Sequence, residues 1–188
     1  GRFAVEKGLL DLVDAVALIS PKVNPAEVAF VLIGRGPMRQ FVEDKIKFYG
    51  LDDVFTLLDW VSQDLLPVWY SAADALILPS HSEAFSRTIL EAMICGTPVI
   101  GSAITGTEDH VKNGENGFLF EPKSPQSQAA ILQQLISNVD ILRNIRTSTL
   151  NYAVDSFIWK KVVEWIDHDI YSHVSSRDVS IRNAHDIY

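Results

Sequence analysis

Apolar positions along the chain switch between a helical period and short continuous runs. Over residues 8–20, Leu9, Leu12, Val13, Val16 and Ala17 recur at helical spacing, and Pro21 and Pro25 bracket the loop that follows. Residues 28–33 form an unbroken apolar run that predicts a buried strand. Gly34-Arg35-Gly36-Pro37 then turns into a predicted helix with Phe41, Val42, Lys45, Ile46 and Tyr49 on spacing, closed by Gly50. Residues 54–58 predict a second strand, Ser62 the N-cap of a helix reaching Ala72, and residues 75–78 a third strand. A helix opening near Ser86 stops at Gly96, and strands at Val99-Ile100 and residues 118–120 flank a short helix expected over 108–112. The last third predicts helices over 124–138, 140–154 and 156–171, the final one with Phe157, Trp159, Val162, Val163, Trp165 and Ile166. Residues 172–188 are polar without a sustained period and read as a tail, mobile or extended.

Continuous apolar strands alternating with helices indicate an α/β, Rossmann-like three-layer domain: a parallel sheet with helices on both faces. In such sheets ligands bind beyond the carboxyl ends of the strands, where residues 34–37 and 80–86 fall. Composition fits one soluble enzyme domain: 188 residues, 47% hydrophobic and 21% charged, can bury one sizeable core. No apolar run approaches the roughly 20 residues of a membrane-spanning helix. The net charge of −8 argues against a nucleic-acid partner, so an anionic ligand would need locally placed cations. The single cysteine, Cys95, forms no intrachain disulfide, fits a reducing compartment and reads as a small buried residue. Five scattered histidines show no zinc spacing and read as surface residues; Trp60, Trp69 and Trp159 read as core.

The chemistry concentrates in residues 79–100. An apolar strand enters a polar loop carrying Glu83, and the helix that follows carries Glu91. A helix N-terminus presents unpaired N–H groups and partial positive charge, which suit a diphosphate. Glu91 can accept hydrogen bonds from a ribose diol, while Glu83 faces what lies beyond the phosphates. A nucleotide-sugar fits both ends.

Five stretches carry a family resemblance: Gly1-Arg2-Phe3 with Glu6-Lys7-Gly8, Gly34 to Pro37, Trp60-Val61-Ser62 with Tyr70 to Asp74, the Glu83/Glu91 motif through Ile100, and Asn113-Gly114 with Asn116 to Leu119. Five motifs in order are specific where each alone is weak. The chain resembles the C-terminal, donor-binding half of a retaining GT-B glycosyltransferase of the glycosyl transferases group 1 family. The resemblance covers about residues 1–123 and extends to the helix at Phe157 and Trp159. It implies a metal-independent transfer of a hexose from a nucleoside-diphosphate sugar, which is substrate and not cofactor, to a glycan, lipid or small acceptor. Arg2 and Lys7 would sit on the diphosphate and Glu83 near the transferred sugar, these three as catalytic groups. Glu91 would hold the ribose, Phe85 and Ser86 would offer backbone N–H groups, and Gly34, Gly36, Val61, Ala84 and Leu90 would complete the donor site. The physical need agrees for the cations, because a departing diphosphate develops negative charge.

Ala84 and Ser86 stand where the family usually has glycine, and residues 104–107 hold one glycine, Gly106, where more are usual. Ser86 can instead cap the helix with its hydroxyl. Two other readings stay open: a non-catalytic nucleotide-sugar-binding or regulatory module, and a different nucleotide-binding α/β enzyme such as a dehydrogenase or a GT-B-fold sugar-nucleotide epimerase. The turn at Gly34 lacks the third glycine of the dinucleotide fingerprint. The resemblance further implies a donor domain over residues 1–171 that lacks its first strand and its N-terminal acceptor domain. That absence would leave a gap in the sheet, and the fragment alone would be inactive and bind donor weakly at most. It implies a cytoplasmic setting, with any contact to the inner face of a membrane made through the absent half.

Overall fold

A computed structural model describes residues 1–84 and 86–157. Its helices are α1 (Leu9–Ile19), α2 (Arg39–Phe48), α3 (Leu66–Ala72), α4 (Arg87–Ile94), α5 (Thr105–Glu108), α6 (Pro125–Ser137) and α7 (Asp140–Phe157). Its strands are β1 (Phe30–Ile33), β2 (Phe55–Leu58), β3 (Leu76–Leu78), β4 (Val99–Ser102) and β5 (Gly117–Phe120). Among the described residues every strand pairing is parallel, Phe30 beside Phe55, Leu76 beside Val99 and Val99 beside Gly117. Helices lie on both sides, the α/β, Rossmann-like arrangement expected from alternating strands and helices.

The strands form two sets, β1–β2 and β3–β4–β5, with no pairing between β1 and β3. At the carboxyl end of β1 the chain's first residues lie alongside. Arg2 bridges Arg35 in parallel, and the Phe3 N–H donates to the Arg35 carbonyl at 2.7 Å. The same segment reaches the end of β3, where the His81 N–H donates to the Glu6 carbonyl at 2.8 Å.

Two apolar clusters hold the layers together. The first gathers Leu12, Val13 and Val16 of α1 with Val42 and Ile46 of α2, Leu132 and Leu135 of α6, and Phe30, Phe55, Ile100, Phe118 and Phe120 of four strands. The second packs Ile89, Ala92 and Met93 of α4 against Val99, Val111 and Ala153, with Tyr70, Leu76 and Leu78 at its margin. α1 therefore rests on α6 and α2, and α4 on α7.

Several expectations are corrected. The helix expected over 108–112 is Thr105–Glu108, because its first turn follows β4 directly. Ser62 makes no side-chain cap; a 3-10 turn over Gln63–Leu65 leads into α3, with Pro67 in the first turn, where a missing N–H costs nothing. Phe41, on helical spacing, is 61% exposed, because α2 buries only the stripe through Val42 and Ile46. Trp60 is 70% exposed in the loop after β2, and Trp69 lies at the solvent side of α3, so neither is core. Cys95 is half-buried rather than buried. α7 runs unbroken past residue 155, where a boundary was expected. The predicted final helix beyond Phe157, Trp159, Trp165, Ile166 and the tail 172–188 lie outside the described residues.

Candidate functional site at the carboxyl ends of the strands

Four short segments converge beyond the strand ends. Lys7 ends a 3-10 turn over Val5–Lys7, and Gly8 at φ +61° turns the chain into α1. The loop after β3 carries Glu83. Its far side is fixed by α5, where the Gly106 N–H donates to the Glu83 carbonyl at 3.1 Å. Its near side is fixed by His81, whose backbone holds Glu6 and whose Nε2 lies 2.7 Å from Asp11 Oδ2. This histidine is thus part of the site's frame and not a surface residue. Lys7 and Glu83, 76 residues apart, form an ion pair with Nζ 2.5 Å from Oε2. Both side chains are largely buried, 29% and 17% exposed, so the pair is better shielded than a surface bridge.

Glu91 lies one turn into α4. Its Oε2 accepts from the Tyr70 hydroxyl at 3.0 Å, and Arg87 Nε stands 4.0 Å from Oε1. Burial, and then the hydrogen bond to Glu91, push the Tyr70 hydroxyl well above the ordinary tyrosine pKa.

The remaining expected residues are distributed around this centre. Arg2 is extended into solvent and pairs with Glu6 at 2.5 Å. Gly34 and Gly36 are closed over by the chain itself: a Cβ on them would collide with the Gly1 and Phe3 carbonyl oxygens. Ser86 is the N-cap residue of α4, yet its hydroxyl caps no N–H and instead lies 3.4 Å from Thr88 Oγ1. Its extended backbone, φ −104°, needs no glycine, and Ala84 is likewise not in the positive-φ region. Val61 and Leu90 are half-buried, and Phe85 lies outside the described residues.

Motif reading missed Tyr70, Asp11 and Arg39. Arg39 forms an ion pair with Asp59, Nη1 2.7 Å from Oδ1, and donates to Glu43 Oε1 at 2.8 Å and to the Gly34 carbonyl at 3.3 Å, joining the turn after β1 to the loop after β2. The Arg39/Glu43 spacing was visible, but its tie to Asp59 spans two strands. The tyrosine stood inside a quoted motif, but nothing in spacing couples it to a carboxylate 21 residues later.

The sequence pattern of the family described as glycosyl transferases group 1 matches residues 1–151. The chain belongs to that family. An uncharacterized glycosyltransferase of Methanocaldococcus jannaschii is 29% identical over 164 residues, 87% of this chain and 41% of that protein. Among solved structures, the C-terminal domain of a glycosyl transferase group 1 family protein from Francisella tularensis superposes with a TM-score of 0.76 at 28% identity, covering 85% of this chain and 84% of that one. The Anabaena protein HepE in complex with UDP superposes with a TM-score of 0.75 at 28% identity, covering 94% of this chain and 47% of that one. This member of the group 1 family thus has the fold of a GT-B C-terminal domain and spans about two-fifths of the length of the curated relative from M. jannaschii. Among its described residues no helix is long and apolar enough to cross a membrane.

Proposed function

We propose that this chain is the donor-binding domain of a retaining, metal-independent glycosyltransferase that moves a hexose from a nucleoside-diphosphate sugar to a glycan, lipid or small acceptor. The observation that carries the reading is the Lys7–Glu83 pair at the mouth of β3, beside the N-terminus of α4. A cation and a carboxylate side by side there suit a donor whose diphosphate and sugar adjoin, which supports the reading. The UDP complex of HepE, a protein 28% identical to this one, supports the same choice of ligand.

In this scheme α4 directs its free N–H groups at the diphosphate, and Lys7 and Arg2 neutralise the charge that grows as the sugar C1–O bond breaks. Arg2 can swing inward, since its present pair with Glu6 is solvent-exposed and contributes little. Glu83 hydrogen-bonds the sugar hydroxyls and stabilises positive charge developing at C1, and Glu91 accepts from the ribose diol. The departing diphosphate stays on the face it leaves, takes the proton of the acceptor hydroxyl, and the new C1–O bond forms on that same face. The protein's own cations supply the charge that a divalent ion would otherwise bring. Acceptor binding falls to a second domain, and the setting is cytoplasmic.

Calorimetric titration of the chain with UDP, GDP, ADP and their sugar conjugates tests the reading. Saturable binding of one nucleotide, weakened by Glu91→Ala, is expected. Failure of every nucleotide to bind, or binding indifferent to Glu91→Ala, would overturn it.

A further inference from the structure

We propose that Tyr70 is a positioning residue for Glu91: its hydroxyl holds Oε2 of the carboxylate so that Oε1 is presented to the ribose hydroxyls of the donor. The inference rests on the ribose-binding role proposed for Glu91 and extends it to a residue on another helix.

The geometry is specific on both sides of the hydrogen bond. Tyr70 lies near the end of α3, with its ring packed at the margin of the cluster formed by Ile89, Ala92 and Met93. Its backbone is fixed as well: Thr97, fully buried in the turn before β4, donates its hydroxyl to the Tyr70 carbonyl at 2.6 Å. The phenol therefore has a fixed origin and a single 3.0 Å bond to Glu91 Oε2. Glu91 stands on the same α4 helix between the buried Ile89, Ala92 and Met93, but its own side chain is 38% exposed. Left alone, such a side chain would populate several rotamers, and a diol would have to select one. Its other neighbour, Arg87 at 4.0 Å, is beyond hydrogen-bonding distance and mostly in solvent. One oxygen is thus anchored, while the other accepts no hydrogen bond shown among the described residues. Preorganising the acceptor this way lowers the ordering cost of binding a diol.

A merely structural hydrogen bond between α3 and α4 would act differently. It would change folding stability, and any effect on nucleotide binding would be the same whether or not the sugar ring carries hydroxyls. The test is therefore titration of the chain with UDP and with 2′,3′-dideoxy-UDP, for the unsubstituted protein, Tyr70→Phe, Glu91→Ala and the double variant. Tyr70→Phe keeps the ring in its packing, and dideoxy-UDP affinity reports that the site remains folded. Tyr70→Phe is expected to weaken UDP about 3- to 10-fold and leave dideoxy-UDP unchanged. In a Glu91→Ala background the same change should have no further effect on UDP, because the two residues act as one unit. Equal losses for both nucleotides, no loss for either, or full additivity in the double variant would overturn the positioning role. If Glu91→Ala leaves the preference for UDP over dideoxy-UDP intact, or UDP fails to bind the unsubstituted chain, it is the ribose reading that falls, and this inference with it.

Discussion

At the scale of single residues, the chain's ionisable groups are set by who faces them across the fold. Lys7 and Glu83 belong to separate motifs 76 residues apart, and the fold brings them into one ion pair. Their pairing depends on the 3-10 turn before α1 meeting the loop after β3. His110 shows the same dependence through burial. Its pKa is held below 6.5 chiefly by burial, with Asp109 opposing and Lys112 adding to the effect. A histidine whose folded pKa is depressed binds its proton more readily in the unfolded chain. Its contribution to stability is thus complete above the unfolded pKa and is lost as pH falls from there through the lower folded pKa. Thermal melting followed from about pH 7.5 to about pH 5.5 should show Tm falling on the acid side, with a flatter slope in His110→Gln. Identical slopes for the two proteins would rule out His110 as the source.

At the scale of elements, the site depends on loops held by backbone contacts. α5 lies against the loop of Glu83 so closely that a Cβ on Gly106 would collide with the Glu83 carbonyl oxygen. Gly106→Ala must therefore displace the loop while leaving the core clusters untouched. The expected result is affinity for UDP-glucose lowered by about 10-fold or more, with UDP itself nearly unaffected, because Glu83 is the proposed sugar-facing group. Equal losses for UDP and UDP-glucose, read by calorimetry, would show that Glu83 is not what separates the two ligands. The elements themselves were largely legible: five strands and the main helices fall within a few residues of where the apolar pattern puts them. Caps were less so. Ser86 occupies the N-cap position without using its hydroxyl, since the local backbone directs that hydroxyl to Thr88 instead of to a free N–H.

For the whole molecule, the division of strands into two sets raises the question of what joins them. The larger core cluster does: Phe30 and Phe55 from one set meet Ile100, Phe118 and Phe120 from the other beneath α1, α2 and α6. Leu12, 1% exposed, lies in that cluster. Leu12→Ala should cost about 2–5 kcal/mol through lost burial and the cavity left behind. Urea unfolding followed by circular dichroism and by tryptophan fluorescence should shift as one transition, because both strand sets share the damaged core. Two separated transitions would mean that the sets unfold independently.

The sequence by itself determined what short-range physics controls: alternating parallel strands and helices, the position of a carboxylate loop before α4, and five ordered motifs that mark the family. Periodicity and turn chemistry act over a few residues, so a chain can display them without its fold. Only the tertiary structure decided which faces became interior. Trp60 and Phe41 were placed outside, and Gly34 and Gly36 were closed over by the chain's own first residues. It also decided which side chains meet across distant segments, such as Lys7 with Glu83, Tyr70 with Glu91 and Arg39 with Asp59. Those outcomes follow from how layers stack and which strand ends lie side by side, quantities to which no local window of residues is sensitive.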